Sequence, residues 1–503
     1  MRIPARIKIG LLALAVAAFA AVLLLAVLPT AIANSREARR LLTARLEAET
    51  GAAADFASLR VHLLPRPCAT LADLRLSWPR GVLLEAPRLR FCLDLASLLG
   101  GKIALKALEL EAPVLRAALP GAEASPPALP DPAACARVAA EVARSLPAAR
   151  VAVRGGRLLL QGERGEGFGL QGLDLNLEAA GEALSWSLAG TADGIASYRL
   201  AGAREGETGR IHALLEAHGI EPARLQAAFR PDAPVRIAGG RIERLEAELD
   251  CPSGETASLT LAAAAPRLEL ERRGRSAAFA IERLAARLER EGPRFRLAIS
   301  DLTLREPAAA LSLEAVVDER LSPRIRVEIA GRAGVEGIRE AALAMLGDMD
   351  DVRLIFEVLR AGEAPEVEVR LAGDTWADLD RLATLFLRGR LEGGAVRLPW
   401  VDLDLEEVSG EARIEGGVLH GRALSARTLG ALGTAGSLDV GLSAADPVLE
   451  LDIAIAAELS RLPGVLARLV RIPAFREQMG LVREVSGTAR GRLTLRGTHE
   501  TST

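Results

Sequence analysis

The histidines are the first residues to consider for chemistry, because imidazole can bind metals and transfer protons near neutral pH. They are His62, His212, His218, His420 and His499, and only His212 and His218 lie near each other in sequence. No two have the i, i+4 spacing that places two ligands on one helix face. The sequence therefore predicts no metal site.

One segment, Gly167-Phe168-Gly169-Leu170-Gln171-Gly172, fits the G-x-G-x-x-G pattern of dinucleotide sites. Such a site needs a helix directly after the glycines, so that its N-terminus faces the pyrophosphate. The segment that follows, Leu173-Asp174-Leu175-Asn176-Leu177, alternates like a strand. We interpret the glycines as a hairpin turn and expect no cofactor.

Other catalytic motifs are also missing from the sequence, which has no G-x-S-x-G segment and no Walker loop. The acidic clusters Asp348-Asp350-Asp351 and Glu406-Glu407 are typical of solvated surface. We expect that the protein is not an enzyme, although residues brought together only by the fold would escape this search. A net charge of −3 indicates no nucleic-acid partner.

The four cysteines, Cys68, Cys92, Cys135 and Cys251, lack the C-x-x-C spacing of zinc sites and are too few for a disulfide scaffold. A Cys68–Cys92 bridge in an oxidising compartment is one alternative. Buried or idle thiols are the other.

Apolar and polar side chains alternate along most of the chain, which predicts about 26 strands with one apolar face. Residues 89–95, Leu-Arg-Phe-Cys-Leu-Asp-Leu, show the pattern, and glycine pairs at irregular spacing indicate turns between strands. The residues that we predict to line the apolar face are Leu59, Val61, Leu63, Leu74, Leu76, Leu89, Phe91, Leu93, Leu173, Leu175, Leu177, Leu297, Ile299, Val327, Ile329, Val367, Val369, Leu403, Leu405, Leu451 and Ile453.

Few segments are predicted to be helical. They are residues 35–50, which Gly51 should close, and 133–145, 335–347, 376–388 and 459–480. The Pro-rich stretch Pro120 to Pro132 is predicted to be a loop or linker.

Ile9 to Leu28 is an apolar run of about 20 residues, long enough for a helix to span a ~30 Å hydrocarbon core. We interpret it as an uncleaved membrane anchor. A cleaved signal peptide is the alternative, because Ala31-Ile32-Ala33 offers a small-x-small site. Both interpretations place the rest of the chain outside the cytoplasm.

The apolar face of so many strands must be closed against something. A series of separate β-sandwiches is one solution. A sheet curled lengthwise into a gutter, with an apolar inside and a charged outside, is the other.

Three hydrophobic spacings between Leu41 and Leu119 have the order of a known family. They are Leu71-x-x-Leu74-x-Leu76, Leu89-x-Phe91-x-Leu93-Asp94-Leu95-x-x-Leu98-Leu99-Gly100-Gly101, and Leu108-x-Leu110-x-x-Pro113-x-Leu115. This stretch resembles the N-terminal region of AsmA-like envelope proteins. Residues 391–497, with Gly410 to Leu419 and Ala457 to Pro463, are similar to the C-terminal part of that family, which is related to bridge-like lipid-transfer proteins.

The resemblance implies a mainly β protein in which a long curled antiparallel sheet forms a hydrophobic groove behind one transmembrane helix. It implies a protein anchored in the inner membrane of a Gram-negative cell, with its body in the periplasm. There it would transfer phospholipids toward the outer membrane and support outer-membrane biogenesis. Membranes, phospholipids and other envelope proteins are the expected partners.

The corresponding division of the chain is a cytoplasmic tip and anchor (1–34), an N-terminal β region (35–119), a linker with a helix (120–148), a central groove (149–390) and a C-terminal region (391–503). The alternative function is a scaffold or assembly factor for outer-membrane proteins without lipid transport. That alternative predicts a closed, ligand-free core and exposed sheet edges.

The segment from Leu459 to Met479 is predicted to cap one end of the sheet, or else to contact a membrane. The arginines at 36, 39, 40 and 45 are either solvated or near anionic head groups.

Overall fold

The computed structural model describes residues 35–498 except 63–65, 80, 95–96, 98–103, 119–131, 146–147, 163–166, 253–254, 382–383, 399–402, 429, 443–447, 462, 465, 467–471 and 483. The described residues form 24 strands, six α-helices and one 3-10 helix, and the strands are assigned to a single sheet. The prediction of a mainly β fold is confirmed.

The chain divides into two compact units. Unit 1 comprises residues 1–231 and 246–257, and unit 2 comprises residues 232–245 and 258–503. The described elements of unit 1 are α1 (Arg36–Thr50), β1 (Ala53–Asp55), β2 (Ser58–His62), β3 (Cys68–Ser77), β4 (Leu83–Leu93), β5 (Leu105–Glu111), β6 (Val114–Ala118), α2 (Pro132–Ser145), β7 (Arg150–Gln161), β8 (Gly167–Ala180), β9 (Ala183–Ala192), β10 (Ile195–Arg204), β11 (Ile211–Ile220) and α3 (Pro222–Phe229).

The chain passes between the units at residues 231–232 and then again inside two strands, β12 (Arg236–Cys251) and β13 (Thr256–Arg272). The remaining elements belong to unit 2. They are β14 (Arg275–Glu291), β15 (Arg294–Glu306), β16 (Ala309–Asp318), β17 (Ile325–Gly334), α4 (Val335–Leu346), α5 (Asp350–Val358), β18 (Leu359–Gly373), a 3-10 helix (Trp376–Asp380), β19 (Leu385–Leu398), β20 (Leu403–Glu415), β21 (Val418–Thr428), β22 (Ala431–Gly441), β23 (Val448–Glu458), α6 (Pro473–Leu481) and β24 (Thr488–Thr498).

The prediction of an antiparallel sheet is wrong at one place in unit 1. Strands β5 and β6 both pair with β7 in parallel, with Leu108 opposite Val151 and Leu115 opposite Leu158. Parallel neighbours need a crossover connection of a dozen or more residues, commonly a helix. The chain between β6 and β7 has that length and contains α2. The segment that we predicted as linker and helix therefore supplies the crossover.

The N-terminal region, residues 52–93, has a packed core. Helix α1 contacts β1, and its Leu42 packs against a cluster of buried residues, in which Leu59 and Leu74 are each 3% exposed. The indole nitrogen of Trp78 donates a hydrogen bond to the carbonyl oxygen of Thr50, 2.9 Å away, at the end of α1. The helix therefore covers the apolar face of these first strands.

The disulfide between Cys68 and Cys92 confirms the first of the two alternatives for these cysteines. The two residues lie directly opposite each other in the antiparallel pair β3–β4. Cys251 is buried, at 3% exposure.

Most helix predictions are confirmed, including that of α1, which Gly51 closes with a positive φ of 65°. The prediction for 376–388 is wrong, because the 3-10 helix ends at Asp380 and β19 begins at Leu385. The burial of this segment beside β18 outweighs the helical spacing of its apolar residues. Within 459–480 the only helix whose bounds the structure describes is α6, which begins at Pro473. Proline suits the first turn of a helix, where its missing N–H is not needed.

Among the helices that the structure describes, none combines the length and hydropathy of a membrane span. The predicted anchor, Ile9 to Leu28, lies outside the described residues. The predicted domain boundary between residues 390 and 391 falls inside β19.

Candidate functional site

The most continuous apolar feature of unit 2 is a row of side chains that crosses its strands. Antiparallel pairing places one residue of each strand from β14 to β24 directly opposite the next, and all of these residues are apolar or glycine. This central row consists of Ala286, Ile299, Leu313, Ile329, Val369, Leu387, Ile414, Leu419, Val440, Leu449 and Gly497. At a strand spacing of about 4.8 Å, eleven strands give a path of roughly 48 Å.

Two further rows run beside the central row on the same face, because side chains two residues apart on a strand point the same way. The first runs through Leu288, Leu297, Ala315, Val327, Leu371 and Leu385, from β14 to β19. The second runs through Leu311, Gly331, Val367, Gly389, Ala412, Gly421, Leu438, Leu451 and Leu495, from β16 to β24. The three rows together define the apolar face of unit 2.

This apolar face is only partly covered by protein. From Ala286 to Leu387 every member of the central row is half-buried, and only Ile414 and Val440 are buried, at 6% and 8% exposure. In the part of the chain that the structure describes, no large side chain is completely buried. A half-exposed apolar strip of this length can bind a hydrocarbon ligand, since covering it removes apolar surface from water.

The opposite face of the same strands is charged. Arg296 and Glu314 pair across β15 and β16 with Nε and Oε1 2.9 Å apart, and Arg492 and Asp452 pair across β23 and β24 at 2.6 Å. The hydrogen bond from Arg492 is the main reason why the pKa of the Asp452 carboxyl lies below its ordinary value. One face of unit 2 is thus apolar and the other carries ion pairs, as the alternation of apolar and polar residues in the sequence predicts.

A cluster on the charged face contains one of the five histidines. His420 Nδ1 lies 2.6 Å from Asp439 Oδ1, and Arg422 Nη1 donates to the same oxygen at 3.0 Å. Burial disfavours the ionised form of Asp439, but the hydrogen bonds from His420 and Arg422 outweigh it and lower the pKa of this carboxyl. The group stabilises the pairing of β21 with β22.

The predicted groove residues fall into two environments. In the N-terminal region Leu59, Leu74 and Leu76 belong to the packed core, and Val61, Leu89 and Phe91 pack against it. Leu93 is half-buried opposite Leu105. Leu63 lies outside the described residues.

In β8, the predicted residues Leu173, Leu175 and Leu177 are half-buried. Leu177 packs against the buried cluster that contains Ala143 of α2, so α2 covers this end of the face in unit 1.

In unit 2 the apolar rows contain seven of the predicted residues, namely Leu297, Ile299, Val327, Ile329, Val367, Val369 and Leu451. Ile453 lies opposite Leu493 of β24. Leu403 is buried at 4% exposure, whereas Leu405 is half-buried opposite Val396. The structure therefore brings most of the predicted residues of unit 2 together on one face.

Sequence reasoning missed several members of the rows. Leu385 and Leu387 were assigned to a predicted helix, although the alternation of Leu385, Leu387 and Leu391 with arginines was visible in the sequence. Leu313 and Ile414 lie in strands whose polar positions are less regular. Their places in the rows follow from the register of pairing, which one strand alone does not reveal.

The residues considered first for chemistry are spread over the sheet. His212 Nδ1 lies 3.7 Å from the carboxylate of Glu248, and Asp348 pairs with Arg272. The interpretation of Gly167 to Gly172 as a hairpin turn is wrong. These residues lie within β8, where Gly172 has a φ of 56° beside a register shift. Among the residues that the structure describes, no three His, Cys, Asp or Glu side chains are grouped to hold a metal ion.

Neither a protein-family model nor a curated protein matches this chain.

Proposed function

We propose that this protein binds phospholipid acyl chains on the apolar face of unit 2 and transfers them along it between membranes. The observation that carries the proposal is the central row, eleven strands of uninterrupted apolar residues that stay mostly half-buried. We further propose that the sheet curls so that this face forms a groove. The resemblance of residues 41–119 and 391–497 to AsmA-like proteins supports the same function.

Transfer by this route follows from the energetics of hydrocarbon in water. Exposing an acyl chain costs about 0.8 kcal/mol per CH₂, so a lipid needs a path that replaces most of its lost contacts. Leucine, isoleucine and valine make non-directional contacts of similar strength at each strand. A chain that lies on the rows can therefore move from one strand to the next without a deep energy minimum, while its head group stays in water.

The proposed location follows from the same resemblance together with the apolar segment Ile9 to Leu28. We propose an inner-membrane anchor and a periplasmic body, with the outer membrane as the destination. The Cys68–Cys92 disulfide supports an oxidising compartment, because disulfides rarely persist in a reducing cytosol.

A scaffold without lipid is the competing function, and it requires a core packed by protein. The N-terminal region has such a core, but the central row in β14 to β19 is half-buried at each position. This difference favours lipid binding over the scaffold in unit 2.

The test is to measure phospholipid that co-purifies with the gently extracted full chain, by mass spectrometry. The variant is Ile329→Asp, which places a carboxylate in the middle of the central row. We expect bound phospholipid to fall by at least about tenfold, because burying that carboxylate under an acyl chain costs several kcal/mol. Circular dichroism and thermal unfolding check that the variant is folded.

The matched control is Glu328→Gln, one residue away on the charged face, opposite Arg370. It should keep its lipid. A photo-crosslinking residue at Leu313 should also capture lipid, whereas one at Glu314 should not. If the wild-type chain carries no phospholipid and Leu313 captures none, the proposed function is wrong and the scaffold is favoured.

A further inference from the structure

The segment between β17 and β18 leaves the sheet as two helices, α4 and α5, joined by a short turn. Helix α4 contacts β17 and β18, between which it is inserted, and also β14. Four strand spacings separate β14 from β18, about 19 Å. A helix of 12 residues is about 18 Å long, so α4 has the length needed to cross these strands.

The turn after α4 is held by arginines at the point where β13 ends and β14 begins. Oδ1 of Asp348 lies 3.0 Å from Nη1 of Arg272, and Oδ2 of Asp348 lies 2.5 Å from Nη1 of Arg273. Arg272 also donates to the carbonyl oxygen of Met345, and Arg275 donates to that of Leu343 at 3.2 Å. Carbonyl groups at a helix C-terminus lack partners within the helix and favour positive charge, so these arginines complete that end of α4.

The arginines reach α4 from the apolar side of the sheet. Arg272 lies on the same side of β13 as Leu268 and Leu270, whereas Arg267 and Glu269 pair with each other on the other side. Its side chain is 22% exposed, although it carries a charge. Helix α4 therefore lies over the apolar face at the ends of the strands where β17 stops.

At its other end, α4 packs closely on the turn between β15 and β16. A Cβ added to Gly337 would lie 2.8 Å from Cβ of Pro307. Val335 is the one buried residue of α4, and the other residues of this helix are half-buried or exposed. Segments with little apolar burial open at a lower free energy than the strands below them.

We propose that the helical hairpin of residues 335–358 is a cover on the apolar face of unit 2, latched by Asp348 to Arg272 and Arg273. The cover opens to admit or release an acyl chain at this end of the rows. This inference rests on the proposed function, since it assigns a gate to the lipid path.

The test compares three variants of the full chain. Asp348→Asn weakens the latch, and Gly337→Ala pushes α4 off Pro307 while raising its helix propensity. Asp301→Asn is the control, because it removes an exposed ion pair with Arg283 away from the hairpin. Hydrogen exchange of the α4 amides and the rate of fluorescent phospholipid transfer between vesicles are measured for each.

We expect α4 of Asp348→Asn to exchange roughly tenfold faster, which corresponds to the loss of one charge-assisted hydrogen bond. Lipid transfer should become several-fold faster in both Asp348→Asn and Gly337→Ala, and stay unchanged in Asp301→Asn. Gly337→Ala separates opening of the cover from melting of the helix.

Unchanged or slower transfer in both hairpin variants would overturn the cover, and slower transfer would give the hairpin a supporting role instead. If wild-type protein transfers no lipid, the proposed function fails. Hydrogen exchange of the α4 amides would then be the remaining test of the latch. Unchanged exchange in Asp348→Asn would overturn the latch as well.

Discussion

The N-terminal region and the strands β14 to β24 share one sequence pattern but differ in what covers their apolar side. In residues 52–93, helix α1 packs on the strands, and Leu59, Leu71 and Leu74 are at most 4% exposed. In β14 to β19, the central row stays half-buried at every strand. An apolar face is therefore a property of the pattern, whereas a closed core needs a second layer.

The difference also separates two roles for similar leucines. Those of the N-terminal region fill a core and stabilise the fold. Those of unit 2 leave apolar surface that a ligand can cover. The exposure of this surface lowers the stability of the fold, and the extensive strand pairing and the ion pairs of the other face offset that loss.

The sharpest test of this comparison pairs two leucine-to-alanine changes. Leu74→Ala should destabilise the N-terminal region by about 3 kcal/mol, because it leaves a cavity in a packed core. Leu387→Ala in the central row should cost about 1 kcal/mol, since part of that side chain already contacts solvent. Hydrogen-exchange protection of β3 and β19 measures the two effects separately. Equal losses at both sites would show that the row is packed like a core.

Reduction of the Cys68–Cys92 disulfide should act on one region alone. The bridge joins residues 24 apart in sequence, and opening a loop of that size costs about 3 kcal/mol. We expect weaker amide protection in β3 and β4 after reduction, with β14 to β24 unchanged. A double Cys68→Ala, Cys92→Ala variant should behave like the reduced protein and be insensitive to reductant. Loss of protection in unit 2 would contradict independent stabilisation of the two regions.

The smallest expected effect is that of low pH on β24, the last strand of the central row. Asp452 has a lowered pKa because Arg492 donates a hydrogen bond to it across β23 and β24. A carboxyl with a lowered pKa stabilises the fold above its unfolded value of 3.8 and loses that contribution as pH falls through the folded pKa. Amide protection of β24 should thus weaken slightly below pH 3.8, while β3 keeps its protection.

Asp452→Asn supplies the matching variant for the acid experiment. It should remove this part of the pH dependence and lower the protection of β24 at neutral pH. If β24 responds to acid equally in the variant, another group is responsible.

Local sequence signals predicted much of the architecture. Helix α1 was predicted because Gly51 follows it, and the strands were predicted because their residues alternate. The prediction of a helix at 376–388 is wrong because Leu385 and Leu387 pair with β18. The spacing of apolar residues within one segment carries no information about such a neighbouring strand. The prediction of a hairpin turn at Gly167 to Gly172 is also wrong, since those glycines make an irregular stretch within β8.

The sequence alone determined that this chain would form many strands with one apolar and one charged face, because side-chain direction along a strand depends only on the local backbone. It also determined most of the helices, since glycine and proline act on their own φ angles. The prediction that glycine pairs mark turns is wrong at three of the pairs that the structure describes, because 155–156, 239–240 and 393–394 lie inside β7, β12 and β19, whereas 416–417 lies between β20 and β21. Only the tertiary structure decided that Ile329, Val369 and Leu387 form one row, that β5 runs parallel to β7, and that α1 packs on the first strands whereas α4 contacts β14 and β18. Those features depend on the register between distant segments, which is set by the packing of the whole sheet and not by any segment alone.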